Sequence, residues 1–349
     1  MARYEQFTVG DLSADTINGC IFPGVIGMGN VYYVADTTST AFSDISNRLG
    51  GKFYADGSAM LYPHTSTSTV VTTNGLKAAA AACITDRNDY IVVLPSTNTY
   101  YINELLTLKK KAVHLICPAA LVNRVGCTSA ARIQQIGAAV SIISIENGGI
   151  EVAGFYLKNI TGYAHIQVPT TSTCVADGGA SAWGISIHNN YFVGRSSSTT
   201  LPMLYCTGDG ASYSRIENNW FTEQVSNGAY TTGVICVGNT GASTDCIGNY
   251  ITIGDSCTAT YGIYNLAVKS VIADNYFSEC GGSGAGATGG TITFCITMGA
   301  TCSAIGNRCA VASGHFSDGS GTTHVSYTDN TDGITNGGTS GMLGAQLET

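Results

Sequence analysis

The chain has 349 residues, of which 44% are hydrophobic and only 11% charged, with 15 Lys and Arg against 23 Asp and Glu for a net charge of −8. A globular domain usually carries about a quarter of its residues as charges, so this surface must be clothed in Thr, Ser, Asn and Gly. That balance argues against phosphate-driven nucleic-acid binding, the largest basic cluster being Lys109-Lys110-Lys111, which reads as a solvated turn.

No apolar run is long enough to cross a bilayer, and Met1 to Phe7 lacks the apolar core of a signal peptide. Residues 1–70 do not repeat, and we read them as an N-terminal arm and attachment segment with one strand at Val31-Tyr32-Tyr33-Val34. Asn74 then precedes Gly75-Leu76-Lys77-Ala78-Ala79-Ala80-Ala81-Ala82, an N-cap followed by the strongest helix formers in the chain. A short helix here suits the end of a stacked sheet, whose first layer would otherwise expose apolar side chains and unpaired edges.

Strand-like segments follow at Tyr90–Leu94, Thr99–Ile102, Leu105–Leu108 and Val113–Cys117, then at Val140–Ile145 and Ile150–Leu157. From Trp183 a repeat takes over. Ile187-His188-Asn189-Asn190-Tyr191-Phe192 returns as Ile216-Glu217-Asn218-Asn219-Trp220-Phe221, Cys246-Ile247-Gly248-Asn249-Tyr250-Ile251, Ile272-Ala273-Asp274-Asn275-Tyr276-Phe277 and Ala304-Ile305-Gly306-Asn307-Arg308-Cys309. Asn190, Asn219, Asn249, Asn275 and Asn307 stand in steps of 29, 30, 26 and 32. A second track places Cys206, Cys236 and Cys295 at equivalent points of short apolar strands, which reads as a stack of core thiols, although neighbouring layers can also bring such thiols within bridging distance.

Two short strands per period of about 30 residues, joined by Gly- and Thr-rich turns that cannot supply crossover helices, predict an all-β parallel coil in which each unit is buried by its neighbours. The expected length is about eight coils, a rod of about 40 Å at one strand spacing per coil. After Ala312 the pattern thins, so the solenoid is placed at 71–336 and an extended tail at 337–349.

These repeats resemble the pectin-lyase-like right-handed parallel β-helix family. The resemblance implies a capping helix ahead of the first coil and an Asn ladder whose amides bond from coil to coil. The N-terminal Val31-Tyr32-Tyr33-Val34 strand resembles leaders ahead of β-helices in bacteriophage structural proteins. Enzymes of the fold use carboxylate groups on adjacent strands. Asn330-Thr331-Asp332-Gly333 is similar to a polygalacturonase motif, but no acidic pair and no His follow it, so Asp332 is read as a turn residue. Glu217 and Asp274 make a poor pair, His188 is read as an exposed turn residue, and Asp177, Asp209, Glu223, Asp245, Asp255 and Glu279 have no partner assignable from spacing. No cofactor or metal site is expected, no CxxC pair being present.

The expectation is a non-enzymatic virion structural protein of a bacteriophage, a decoration or fibre component on the particle exterior. Its expected partners are other virion proteins and copies of itself, a trimer being favoured. The alternative is a tailspike-like protein that binds or degrades a surface glycan.

Overall fold

A computed structural model describes residues 29–40, 42–118, 130–137, 140–159, 162–169, 182–194, 199–207, 211–223, 229–230, 232–238, 243–254, 257–280, 291–299 and 301–310, with the short pieces 315–316, 326–328, 330–332 and 342–343 beyond. The described strands are short, and nearly all pair in parallel with the strand one coil earlier and one coil later. They form three sheets of 12, 10 and 10 strands that together enclose one apolar core. The chain is a parallel β-helix.

Alternation builds the core. In strands such as Asp89–Val93, Val113–Ile116 and Ala131–Gln135, every second side chain is buried and those between are partly exposed. Inward residues stack on their own kind along the axis. Phe192 lies on Phe221 with ring centroids 4.4 Å apart and planes 12° apart. The second sheet contains 10 strands of which the last, Met342–Leu343, is antiparallel, leaving nine parallel ones against the expected eight coils or so.

The helix expected after Asn74 is α2, Gly75–Ala82, and the Asn74 side chain accepts the Lys77 backbone N–H at 3.1 Å. Leu76 and Ala79 are fully buried in the end of the core, so the helix closes the first coil. An unforeseen helix, α1 at Phe42–Leu49, precedes it. It connects two parallel strands, Val31–Asp36 and Leu61–Ser66, that lie side by side in the first sheet. The boundary drawn at residue 70 therefore does not fall at a break in the structure. Residues 31–73 extend the first sheet beyond the strand at Asp89–Val93, and the outermost strand, Val71–Thr73, turns antiparallel and finishes the edge. The thinned repeat after Ala312 falls mostly outside the described residues, as do residues 1–28 and most of the expected tail.

Candidate functional site

The five repeated asparagines sit at one turn, between the first and second sheets, and all are buried. Asn190, Asn219, Asn249 and Asn275 each donate their backbone N–H to the side-chain oxygen of the next Asn along the chain, at 3.0, 3.1, 2.9 and 3.0 Å. Each Nδ2 also donates to a carbonyl of the preceding coil: Val152, Ile187, Ile216, Cys246 and Ile272, at 2.8 to 2.9 Å. The left-handed conformation of this turn belongs to the residue before the Asn: Asn189, Asn218, Gly248, Asp274 and Gly306, with φ of 55° to 65°. A preference for that conformation therefore does not explain the ladder residues. They are there to satisfy buried backbone groups that a tight turn would leave unpaired. The ladder begins at Phe155, which follows Gly154 at φ 82° and donates its N–H to Asn190 Oδ1 at 3.1 Å.

Register revises the thiol stack. Cys206 lies opposite Val237, and Cys236 lies between Tyr205 and Tyr264, so the two thiols belong to opposite faces of their sheet. Equal counting failed because successive coils carry turns of different length. Cys83, Cys206, Cys236 and Cys246 are buried free thiols, and burial pushes each thiol up, Cys83 and Cys236 to about 12. Cys295 is disulfide-bonded rather than a member of a reduced stack.

The outer face of the first sheet holds a group of chemically capable side chains. His114, on Val113–Ile116, and Glu151, on Glu151–Ala153, are neighbours across the ladder, and His188 reaches the same carboxylate from Ser186–His188. His114 Nδ1 lies 2.6 Å from Glu151 Oε2, and His188 Nε2 lies 2.7 Å from Oε1. The remaining ring nitrogens are occupied too: His114 Nε2 is 2.6 Å from Asn88 Oδ1, and His188 Nδ1 is 3.1 Å from Asn189 Nδ2. Tyr90 stacks on His114, with centroids 4.2 Å apart and planes 12° apart. Hydrogen bonds from His114 and then His188 hold the Glu151 carboxyl down at about 2, against the opposing effect of its burial.

His188 is thus a strand residue in a hydrogen-bonded network and not an exposed turn residue; its side chain is 18% exposed. Glu151 and His114 were missed because their contacts span 37 residues, outside the rhythm of 26 to 32 that marks the repeat. The legible signal was that both occupy outward positions of apolar strands.

Chemically the group is closed. All four imidazole nitrogens and both carboxylate oxygens are engaged within it, so no base is held ready toward a substrate. A carboxyl held at about 2 is also a poor proton donor near neutral pH. The two rings converge on the carboxylate rather than on a shared point, and among the described residues no group of three or more His, Cys, Asp or Glu could hold a metal ion.

Other acids are similarly committed. Arg87 bridges Asp56 and Asp89, Lys109 faces Glu146 at 3.8 Å, Lys111 pairs with Asp86 at 3.1 Å, and Arg215 stands 3.8 Å from Glu217. Asp245 Oδ1 accepts the Val271 N–H at 2.8 Å, and the Asp274 carboxylate overlies Gly306, where a Cβ would come within 2.6 Å of its Oδ1. Asp177, Asp209 and Asp255 lie outside the described residues, as do the side chains of Glu223, Glu279 and Asp332.

The second sheet carries an outer aromatic row, Tyr156, Tyr191, Trp220, Tyr250 and Tyr276, with successive centroids 5.4, 5.4, 4.8 and 4.8 Å apart. Arg132 lies over the Tyr156 ring at 5.8 Å, and Arg308 pairs in register with Tyr276. The rings pack chiefly against one another, so the row reads as an external rib that reinforces coil stacking.

No family model and no curated protein sequence matches the chain. Among solved structures, the crystal structure of Agl-KA catalytic domain matches 68% of this chain at 12% identity and a TM-score of 0.28. The match covers 52% of that protein, so this chain spans about half its length. At that TM-score the likeness says nothing of chemistry.

Proposed function

We propose that the protein is a non-enzymatic structural rod, a bacteriophage virion component of the decoration or fibre kind that assembles with other particle proteins and with copies of itself. The observation that carries the non-enzymatic part is the closed His114–Glu151–His188 network. This set of two imidazoles and a carboxylate is bonded to itself, and it ties together strands of successive coils. A buried amide ladder and an external aromatic rib supply the same axial stiffness from two other positions, which suits a load-bearing part. Low lateral charge suits packing beside like rods. The particle assignment rests on the resemblance of the Val31-Tyr32-Tyr33-Val34 leader, with residues 1–28 as the attachment segment.

The test is particle incorporation run beside a glycan-degradation screen. A chain lacking residues 1–28 keeps Gly29 and Asn30, which bond to Asn88 and Asp89 in the cap. It should fold and fail to incorporate. Incorporation at the normal level removes the attachment role. Release of reducing ends from any polysaccharide by the intact chain, abolished by Glu151→Gln, overturns the non-enzymatic reading.

A further inference from the structure

At its N-terminal end the rod has three sheets to close, and it closes them by three different means. The first sheet ends on the antiparallel strand Val71–Thr73. The third begins with Leu106–Leu108, over which α2 packs. The second begins with Thr99–Ile102, which pairs in parallel with Ala131–Gln135 on one side and with no described strand on the other. A strand edge left in that state presents bare N–H and C=O groups to any passing chain.

Two side chains stand where the missing strand would be. Ile102 turns its carbonyl toward the next coil, accepting the Ile136 N–H at 2.9 Å, so its neighbour Tyr101 turns both backbone groups toward the free edge. The Tyr101 N–H donates to Ser66 Oγ at 3.0 Å, and the Tyr101 carbonyl oxygen lies 3.1 Å from His64 Nε2. Nε2 and Oγ are themselves 3.0 Å apart. His64 and Ser66 stand two places apart on Leu61–Ser66, a strand of the first sheet, so both point the same way. They reach across the corner and supply the acceptor and the donor that a further coil would have supplied.

The histidine half of this plug is acid-sensitive by construction. A carbonyl can only accept, so Nε2 carries the hydrogen and Nδ1 is bare. His64 is 0% exposed, and its Nδ1 has no hydrogen-bond partner. A proton added there buries a charge together with a donor that nothing receives. The groups around the ring offer no relief. Asp36 stands opposite His64 across the ladder, but its carboxylate already accepts from Thr38 and Ser96. Tyr100, whose ring centroid is 5.2 Å away, donates its hydroxyl to the Leu94 carbonyl. The edge strand Val71–Thr73 carries no titratable group, and α2 brings only Lys77, which is 57% exposed and paired with Glu104. Burial lowers the His64 value below the ordinary 6.5, against the opposing pull of the Tyr101 carbonyl and Asp36.

We propose that His64 and Ser66 form an acid-released latch on the second sheet: protonation expels the imidazole from the corner and leaves the Tyr101 backbone as an open strand edge. Ser66 Oγ is held to the ring as well as to the amide, so the two bonds open together. The folded value is the lower one, so closure is complete above pH 6.5 and weakens as pH falls below it. The third sheet, shut by a helix with no buried titratable group, stays closed. The latch does not depend on the function proposed above.

Hydrogen exchange of the full chain, read residue by residue and corrected for the intrinsic rate, is compared at about pH 7.5 and about pH 5. The Tyr101 amide should exchange about 10-fold or more faster at the lower pH, and the Lys77 amide in α2 should not follow. His64→Gln keeps an N–H for the Tyr101 carbonyl and does not titrate, so it should hold Tyr101 protected at both values. His64→Ala should leave it unprotected at both. Imidazole nitrogen shifts in the unaltered chain give a check that needs no variant: the His64 midpoint should fall below 6.5 and coincide with the rise in Tyr101 exchange. Equal protection of Tyr101 at the two values, or a His64 that titrates while Tyr101 stays protected, overturns the latch. So does an acid response that survives in His64→Gln, which assigns it to another group.

Discussion

Two polar stacks run along this rod, and they differ in the way that separates architecture from opportunity. The Asn ladder lies inside, repeats in five coils and answers buried backbone N–H and carbonyl groups at one turn. The His114–Glu151–His188 network lies on the outside, occurs once among the described residues and answers only its own side chains. A repeated buried solution is imposed by the fold. A single outward cluster is not, and its content has to be read from its geometry. That geometry is a clamp.

The comparison breaks first at the ladder. Asn249→Ala strips the acceptor from the Asn219 N–H and Nδ2 and leaves the Ile216 carbonyl and Asn275 Oδ1 short of a donor. At about 1 to 3 kcal/mol for each unsatisfied buried group, with partial relaxation, the expected loss is about 3 to 5 kcal/mol. It is read as a fall in urea midpoint. A loss below about 1 kcal/mol would mean that the turn holds its shape without the amide.

A buried histidine sets the next effect. His165 is fully buried, its Nε2 lies 2.7 Å from the Val193 carbonyl oxygen and its Nδ1 has no partner. Burial lowers this group to about 4 from an ordinary 6.5. The unfolded chain therefore binds the extra proton first, so the group costs nothing above pH 6.5. Its penalty grows as pH falls from 6.5 to 4 and is constant below that. The full penalty is about 3 kcal/mol as an upper figure. His165→Gln, which keeps a donor for Val193 and does not titrate, should flatten stability between pH 6.5 and 4. An unchanged slope assigns acid sensitivity elsewhere.

The outer clamp is expected to be worth less because it is partly wet. Glu151→Gln should cost about 1 to 2 kcal/mol at pH 7, discounted for its 25% exposed side chain. The sign is opposite in origin to that of His165. Glu151 has a depressed folded value, so its contribution is present above pH 4.5 and disappears as pH falls toward 2. The gap between wild-type and Glu151→Gln midpoints should close over that window. Smallest is the cap: Asn74→Ala should cost about 1 kcal/mol and loosen α2 alone, visible as faster amide exchange at Lys77.

What the sequence reveals follows the same division. The ladder is legible because every Asn must stand at one turn, and an apolar residue must follow two places on to enter the second sheet. The helix after Asn74 is legible from its cap and its alanines. Register across the third sheet is not, because Cys206 meets Val237 and Val237 meets Asn265, steps of 31 and 28 that spacing alone averages to 30. The clamp is hidden for a related reason: His114, Glu151 and His188 are joined by steps of 37 residues, outside the rhythm that marks the repeat.

The ladder has one further property. Its steps vary from 26 to 32 residues, yet the bond from each backbone N–H to the next amide oxygen stays within 2.9 to 3.1 Å. Each coil is thus rephased at the Asn turn, and a difference in loop length is forgotten before the next coil begins. Errors of length do not accumulate along the rod. Segments inserted at the other corners should therefore be carried as cargo, displayed at a fixed height and azimuth, while the spine beneath them keeps its pitch.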